Sequence, residues 1–295
     1  MLQGLFSELP EVGQTFAEAS EVLGYDLWAL VSEGPQEKLN LTEQAQPALL
    51  TASTALWRAW QARSSVRPAF LAGHSLCEWS ALVAAGVVQF ADAVNLVRLR
   101  GQYMQAAVPP GVGAMAAVLG LEDEKVAQAC QQASEVGIVV PVNFNSPGQV
   151  VIAGAVAAVE AAMAQCISLG ATKAIPLFVS APFHTSMMKP AAERLAKDLE
   201  TVTFSAPSIP VVHNLTSRPE ADPAVIKALI IEQIYAPVRW VESVLFMVDQ
   251  GVELTLEVGP GRVLSGLNKR IHKSLNLLST DDSARWQAAL AYFQV

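Results

Sequence analysis

The sequence predicts an α/β fold in which a smaller unit is inserted into a larger one. Short apolar runs bounded by glycine and proline alternate with longer amphipathic segments, a pattern typical of strands and helices in α/β proteins. The breaker Pro109-Pro110-Gly111 separates a helix-rich first part from a compact block of short strands and helices. Hydrophobic residues make up 52% of the 295 positions, so the chain can bury a substantial core.

The first part of the chain contains a serine in a sharp turn between a strand and a helix. The stretch AGHSLCE, residues 72–78, is close to the G-x-S-x-G pattern that presents a nucleophilic serine, here Ser75. We expect a buried strand before the turn and a helix ended by Gly86 after it. The expected elements are helices at Leu5–Leu23 and Gln46–Ala62, the strand Pro68–Ala72, and helices at Glu78–Ala85 and Ala91–Ala106.

The inserted block has the order β-α-β-β-α-β, which is the ferredoxin-like order. We expect the strand Gly113–Leu119, the helix Leu121–Ala133, the strands Ile138–Asn143 and Gln149–Ala153, the helix Ala155–Leu169 and the strand Lys173–Val179. The polar cluster Ser180–Ser186, a helix opened by Pro190 and two buried strands, Ile209–Asn214 and Glu253–Val258, follow. The expected domains are therefore 1–107 together with 180–295, and the insertion 108–179.

Composition excludes several classes of function. The net charge of −8 argues against nucleic-acid binding, which needs a basic face to neutralise phosphates. Cys77, Cys130 and Cys166 have no CxxC spacing, so we expect no disulfide framework, no metal site and a reducing cytoplasm. No signal peptide is visible, and the apolar stretch Ala81–Val88 is too short to span a membrane. We expect a cytoplasmic protein that needs no cofactor.

Several sequence blocks together resemble one family. GHSLCEWSALVAAG, RLRGQYMQ, NFNSPGQVVIAG, APFHTSMMKPA, EQIYAPVRW and EVGPGRVL occur in this order. Together they resemble the malonyl-CoA:acyl carrier protein transacylase family of fatty-acid synthesis, from about Leu5 to about Ile271. The resemblance implies a hydrolase-like parallel-sheet subdomain with an inserted ferredoxin-like subdomain. It also implies transfer of malonyl from malonyl-CoA to the phosphopantetheine thiol of acyl carrier protein, through a malonyl-serine.

The resemblance implies a role for each of five residues. Ser75 matches the acylated serine, and His184 matches its general base. Leu76 matches the residue whose main-chain N–H faces the oxyanion, and Gln233 matches the glutamine whose main-chain carbonyl orients the histidine. Arg100 matches the arginine that holds the malonyl carboxylate. The chemistry requires such groups: a weak hydroxyl nucleophile needs an imidazole base, and a free carboxylate is gripped bidentately by a guanidinium.

The chain departs from the family pattern at two places. Cys77 stands where the family has the second glycine of the turn, and we expect a buried thiol with overpacking of about 1–3 kcal/mol. Cys77 itself is not expected to be the nucleophile, because it lies beyond the apex of the turn. The family also opens with a strand and the turn F-P-G-Q-G-S-Q, whose glutamine supplies a second oxyanion donor. Met1-Leu-Gln-Gly-Leu-Phe corresponds to the residues after that turn, so we expect the natural chain to start further upstream.

Two other functions remain open at this point. A serine hydrolase of the esterase type would have a carboxylate partner for the histidine and no role for Arg100. An acyltransferase-like protein of weakened activity would only bind carrier protein, as the absent turn allows.

Overall fold

The protein mixes helices with small sheets, and its first part is helical. The computed structural model describes residues 2–179 and 181–293. The elements of the first part are α1 (Gln3–Glu8), α2 (Pro10–Leu23), α3 (Leu27–Glu33), α4 (Gln36–Leu39), α5 (Thr42–Arg63), β1 (Leu71–Ala72), α6 (Cys77–Ala84) and α7 (Phe90–Ala106). The expected single helix Leu5–Leu23 is two helices, because Leu9 precedes a proline and is extended, with φ −122° and ψ 100°.

A four-stranded antiparallel sheet comes next along the chain. Its elements are β2 (Gly113–Leu119), α8 (Asp123–Ala133), β3 (Val139–Ser146), β4 (Gln149–Ala155), α9 (Val156–Ser168) and β5 (Lys173–Pro176). The strand order is β3-β4-β2-β5, and each neighbouring pair is antiparallel. The helices α8 and α9 pack on one face, while Met115, Val142 and Val151 on the other face pack towards Phe183. The main chain of Phe144 bonds Val238, which joins β3 to the last part of the chain.

The last part of the chain returns to parallel pairing. A 3₁₀ turn (Ser186–Met188) leads into α10 (Lys189–Leu199), β6 (Val211–Val212), α11 (Pro223–Gln233), α12 (Trp240–Asp249), β7 (Leu254–Glu257), α13 (Val263–Ile271), β8 (Asn276–Ser279) and α14 (Ser283–Phe293). The strands β1 and β6 pair in parallel, and so do β7 and β8. The polar cluster expected at 180–186 is described from Ala181 onwards, since Ser180 lies outside the described residues, as do Met1 and residues 294–295 at the ends of the expected domains.

The parallel strands are shorter than the sequence indicates. The expected strand Pro68–Ala72 is reduced to β1, which is half-buried rather than buried, and Ile209–Asn214 is reduced to β6. Pro210 has no N–H to donate to a ladder. At the other end, the Asn214 side chain donates to the Gly73 carbonyl at 2.7 Å. Among the described residues, the parallel strands therefore form two separate pairs, β1 with β6 and β7 with β8.

The main core joins the helices of the first part to α10, α11 and α14. In α2, the buried residues Val12, Phe16, Ala19 and Leu23 recur at helical spacing and face this core. Gly24 ends the helix with a left-handed φ of 76°, which glycine adopts without strain. Among the described helices, none is both long and apolar enough to cross a membrane.

Candidate active site

Ser75 lies in a strained turn between β1 and α6. Its φ is 52°, in the left-handed region that is unusual for a residue other than glycine. The turn is so tight that a Cβ on Gly73 would stand 1.9 Å from the Cys77 carbonyl oxygen, so only glycine fits there. Ser75 is held from both sides, since its N–H donates to Asn214 Oδ1 at 2.6 Å and its carbonyl accepts from Gln233 Nε2 at 3.0 Å. These bonds offset the cost of the unusual backbone conformation.

His184 is placed against the serine hydroxyl. It lies in the loop after the four-stranded sheet, is 4% exposed, and has a φ of 63°. Its Nε2 is 2.7 Å from Ser75 Oγ, and its Nδ1 is 2.8 Å from the main-chain oxygen of Gln233. A carbonyl only accepts, so Nδ1 carries the hydrogen and Nε2 is left to accept from the hydroxyl. Burial, followed by the charge of Arg100, lowers the pKa of His184 to about 3, and the ring is neutral at pH 7.

Arg100 on α7 is a buried cation held by neutral groups. It is 2% exposed. Its Nη1 donates to Gln46 Oε1 at 2.8 Å, and its Nη2 donates to Gln233 Oε1 at 3.1 Å and to Ser75 Oγ at 3.4 Å. Within residues 2–179 and 181–293, its Nε has no hydrogen-bond partner and no carboxylate forms a salt bridge with it. Burial lowers the pKa of Arg100 to about 10, so the side chain stays charged at neutral pH and can receive an anion.

Leu76 follows Ser75 directly, and Cys77 is the first residue of α6. Leu76 is the residue before the first helical position, where main-chain N–H groups have no acceptor inside the helix. Cys77 is half-buried, rather than buried as we expected, and the close packing of the turn falls on Gly73 instead. Burial and the nearby Glu257 raise the pKa of Cys77 to about 11, so its sulfur is a thiol at neutral pH and a poor nucleophile.

The comparison with known proteins agrees with this geometry. Over residues 13–285 the sequence matches the acyl transferase domain family. The chain belongs to this family. It is 55% identical to the malonyl CoA-acyl carrier protein transacylase of Salmonella typhimurium over 290 residues, which cover 98% of this chain and 94% of that protein.

Solved structures give the same result. The acyl carrier protein S-malonyltransferase of Vibrio cholerae superposes with a TM-score of 0.96 at 56% identity, covering 98% of this chain and 94% of that one. A malonyl-transacylase solved in complex with a type II PKS acyl-carrier protein has a TM-score of 0.97 at 52% identity, covering 99% of this chain and 94% of that one.

The structure joins Ser75, His184, Arg100 and Gln233 in one hydrogen-bonded cluster, with Leu76 directly after Ser75 in the chain, and adds other residues to this cluster. Asn214 holds the Ser75 N–H, Glu78 bonds Gln233, and Gln46 bonds Arg100. The sequence could have indicated Asn214, because this residue ends an expected strand that is parallel to the strand before Ser75. Sites in α/β proteins lie at the carboxyl ends of such strands. Glu78 had a weaker sequence signal, as a charge at the start of an apolar helix. Gln46 had none, because an amide in a long helix is usually solvated.

His74 lies beside Ser75 but points to the antiparallel sheet. Its Nε2 is 2.7 Å from Asn145 Oδ1 on β3. Burial lowers the pKa of His74, so the neutral ring donates to this amide oxygen. This hydrogen bond connects the turn that carries Ser75 to β3 of the antiparallel sheet.

Proposed function

We propose that this acyltransferase moves a malonyl group from malonyl-CoA to the phosphopantetheine thiol of acyl carrier protein through a malonyl-serine. The observation that carries the proposal is the buried arginine beside the serine–histidine pair, with Arg100 Nη2 at 3.4 Å from Ser75 Oγ. A malonyl thioester is a short acyl group that ends in a free carboxylate, so its two ends match a nucleophile and a cation in close proximity. The relatives named above are malonyl transferases, which supports the same substrate.

The first half-reaction would form the acyl-enzyme. His184 Nε2 takes the Ser75 hydroxyl proton as Oγ attacks the thioester carbonyl, and the carbonyl oxygen becomes an oxyanion. The Leu76 N–H at the start of α6 donates to that oxyanion. When the C–S bond breaks, His184 returns its proton to the CoA sulfur, which leaves malonyl-Ser75 and free CoA.

The second half-reaction would run the same steps with the carrier thiol. His184 Nε2 deprotonates the phosphopantetheine thiol, and its sulfur attacks the ester carbonyl of malonyl-Ser75. The C–Oγ bond breaks, and the proton on His184 passes to Oγ. Ser75 is regenerated, and the malonyl group remains on the carrier as a thioester. The main-chain carbonyl of Gln233 stabilises the protonated imidazole in both halves, because it accepts the Nδ1–H at 2.8 Å.

Arg100 would select malonyl over acetyl. The malonyl carboxylate can accept two charge-assisted hydrogen bonds from the guanidinium, whereas an acetyl group would leave a buried cation unpaired. The neutral partners Gln46 and Gln233 orient the guanidinium without cancelling its charge.

An esterase-type hydrolase would present a carboxylate to the histidine. His184 Nδ1 faces a main-chain oxygen instead, and the buried arginine has no purpose in a simple esterase. A protein that only binds carrier protein has no need of a serine–histidine hydrogen bond of 2.7 Å. Both observations favour transfer.

The test is to incubate the protein with malonyl-CoA labelled in the malonyl group, trap the acyl-enzyme, and then add carrier protein. We expect label on Ser75 that passes to the carrier thiol, and no label in the Ser75→Ala variant. Rapid release of malonate to water would indicate the esterase, and absence of label in the wild type would indicate a protein that only binds.

The proposal extends to the architecture and the location. The strand order β3-β4-β2-β5, with two helices on one face, supports a ferredoxin-like unit at 108–179 inserted into a hydrolase-like unit made of 1–107 and 180–295. Cys77, Cys130 and Cys166 are free thiols, which supports a reducing compartment such as the cytoplasm.

A further inference from the structure

Gln233 is the point where the nucleophile, the base and the arginine meet. Its main-chain oxygen faces His184, its side-chain oxygen accepts from Arg100, and its Nε2 donates to the Ser75 carbonyl. Gln233 is 1% exposed, so no solvent competes for these bonds. The orientation of one amide therefore decides whether an acceptor or a donor faces the arginine.

A buried carboxylate sets that orientation. Glu78, on the first turn of α6, is 1% exposed, and its Oε2 accepts from Gln233 Nε2 at 2.6 Å. A carboxylate accepts and does not donate, so the amide must turn its nitrogen to Glu78 and its oxygen to Arg100. The charge of Glu78 also favours the protonated form of Arg100 without bonding it.

Glu78 is itself rigidly held, and it reaches the serine by a second route. His213 Nδ1, fully buried, donates to Glu78 Oε1 at 2.7 Å, and the Asn214 N–H donates to Oε2 at 3.2 Å. Asn214 in turn accepts the Ser75 N–H through its side chain. Donors therefore face both oxygens of the carboxylate, and no member of the network can invert without breaking a bond to another.

We propose that Glu78 is a positioning residue for the transfer, which fixes the Gln233 amide against Arg100 and, through Asn214, holds the turn that carries Ser75. The inference rests on the malonyl transfer proposed above. Glu78 touches neither substrate nor reacting atoms, so its effect is exerted on the rate per active site and on the choice of acyl group.

The Glu78→Gln variant tests this with almost no change of shape. Its amide places an NH₂ where the network requires an acceptor. If that NH₂ faces Gln233, the Gln233 amide inverts and turns its nitrogen towards Arg100. We expect loading of Ser75 per titrated site to fall about 10- to 100-fold, the effect of losing one hydrogen bond to a charged group. We also expect the ratio of malonyl to acetyl loading to fall about tenfold, because the guanidinium loses its fixed acceptor.

The matched control is Asp222→Ala. Asp222 caps the N-terminus of α11, the helix that ends at Gln233, through bonds to the N–H groups of Ala224 and Val225. This control weakens the same helix but leaves the bonds at Gln233 in place. We expect a lower thermal midpoint with a wild-type loading rate per site and a wild-type malonyl-to-acetyl ratio.

Rapid-quench loading with labelled malonyl-CoA and acetyl-CoA, normalised to the trapped acyl-serine, separates the outcomes. A wild-type rate and ratio in both E78Q and E78A would overturn the proposal, because alanine offers Gln233 no acceptor whichever way the amide of E78Q turns. If E78Q does not fold, the test is made with E78D, because aspartate keeps the charge but its shorter side chain moves the carboxylate oxygens away from Gln233. A reduced loading rate per site in E78D supports the proposal, and a wild-type loading rate refutes it. Failure of the wild-type protein to load malonyl would instead refute the proposed function.

Discussion

Arg100→Ala is the sharpest perturbation of the substrate assignment. In the wild type Arg100 is 2% exposed, and its guanidinium bonds only neutral acceptors and the serine hydroxyl among the described residues. A bidentate malonyl carboxylate would add two hydrogen bonds between charged groups, each worth about 1.5–3 kcal/mol, or about 3–6 kcal/mol together. We therefore expect the ratio of malonyl to acetyl loading to fall by about 10² to 10⁴ in the variant.

The assay is single-turnover loading of Ser75 from labelled malonyl-CoA and from labelled acetyl-CoA, each at saturating concentration. Acetyl loading should change little or rise, because no buried cation is then left unpaired. Arg98→Ala is the matched control: Arg98 lies on the same helix, is half-buried and bonds Asn95 outside the site, so its loss should leave the ratio unchanged.

Stability must be followed in parallel, since the truncation leaves the amide oxygens of Gln46 and Gln233 without their donor. Each unpaired buried acceptor costs about 1–3 kcal/mol, so the thermal midpoint should fall. A variant that is folded, loads acetyl and keeps the wild-type malonyl preference would refute the role of Arg100 as the carboxylate ligand.

Four further predictions concern His184 and the turn that carries Ser75. Burial holds the pKa of His184 at about 3 instead of 6.5, so the rate of malonyl loading should not change between about pH 5 and about pH 8. A fall in this rate centred near pH 6.5 would contradict the assignment. Because the unfolded chain takes up this proton first, the free energy of unfolding should fall as the pH drops below 6.5 towards 3, and His184→Ala should remove that part of the dependence. Gly73→Ala places a Cβ 1.9 Å from the Cys77 carbonyl, and thermal unfolding should show destabilisation together with loss of serine labelling; a wild-type midpoint and label would show that the turn can relax. The thiol of Cys77, with its pKa at about 11, should resist iodoacetamide at neutral pH, and Cys77→Ala should load malonyl at about the wild-type rate; inactivation by either treatment would give the sulfur a role.

The four-stranded antiparallel sheet and its two helices were predictable because their sequence signals are local. The expected strand Gly113–Leu119 is confirmed to the residue, and the expected helices lie within a few residues of α8 and α9. Short apolar runs bounded by turns at glycine are sufficient to indicate strands that are close in sequence and can pair as an antiparallel sheet. The parallel strands were less predictable, since the length of β6 depends on a partner about 140 residues away and on Pro210 and Asn214 at its ends.

The candidate site shows why a local pattern marks Ser75 but not the groups that hold it. Ser75 is marked by its turn, and Arg100 and His184 by the blocks around them. The bond from Asn214 to Glu78 joins residues 136 positions apart, and nothing near either one specifies the other. Gln233 bonds other residues of the site through both its main chain and its side chain. Any residue can offer a main-chain carbonyl to His184. Only a side chain with both a donor and an acceptor can bond Glu78 and Arg100 at the same time. The identity of this residue is therefore explained by the arginine and the buried carboxylate, and not by the histidine that its main-chain carbonyl faces.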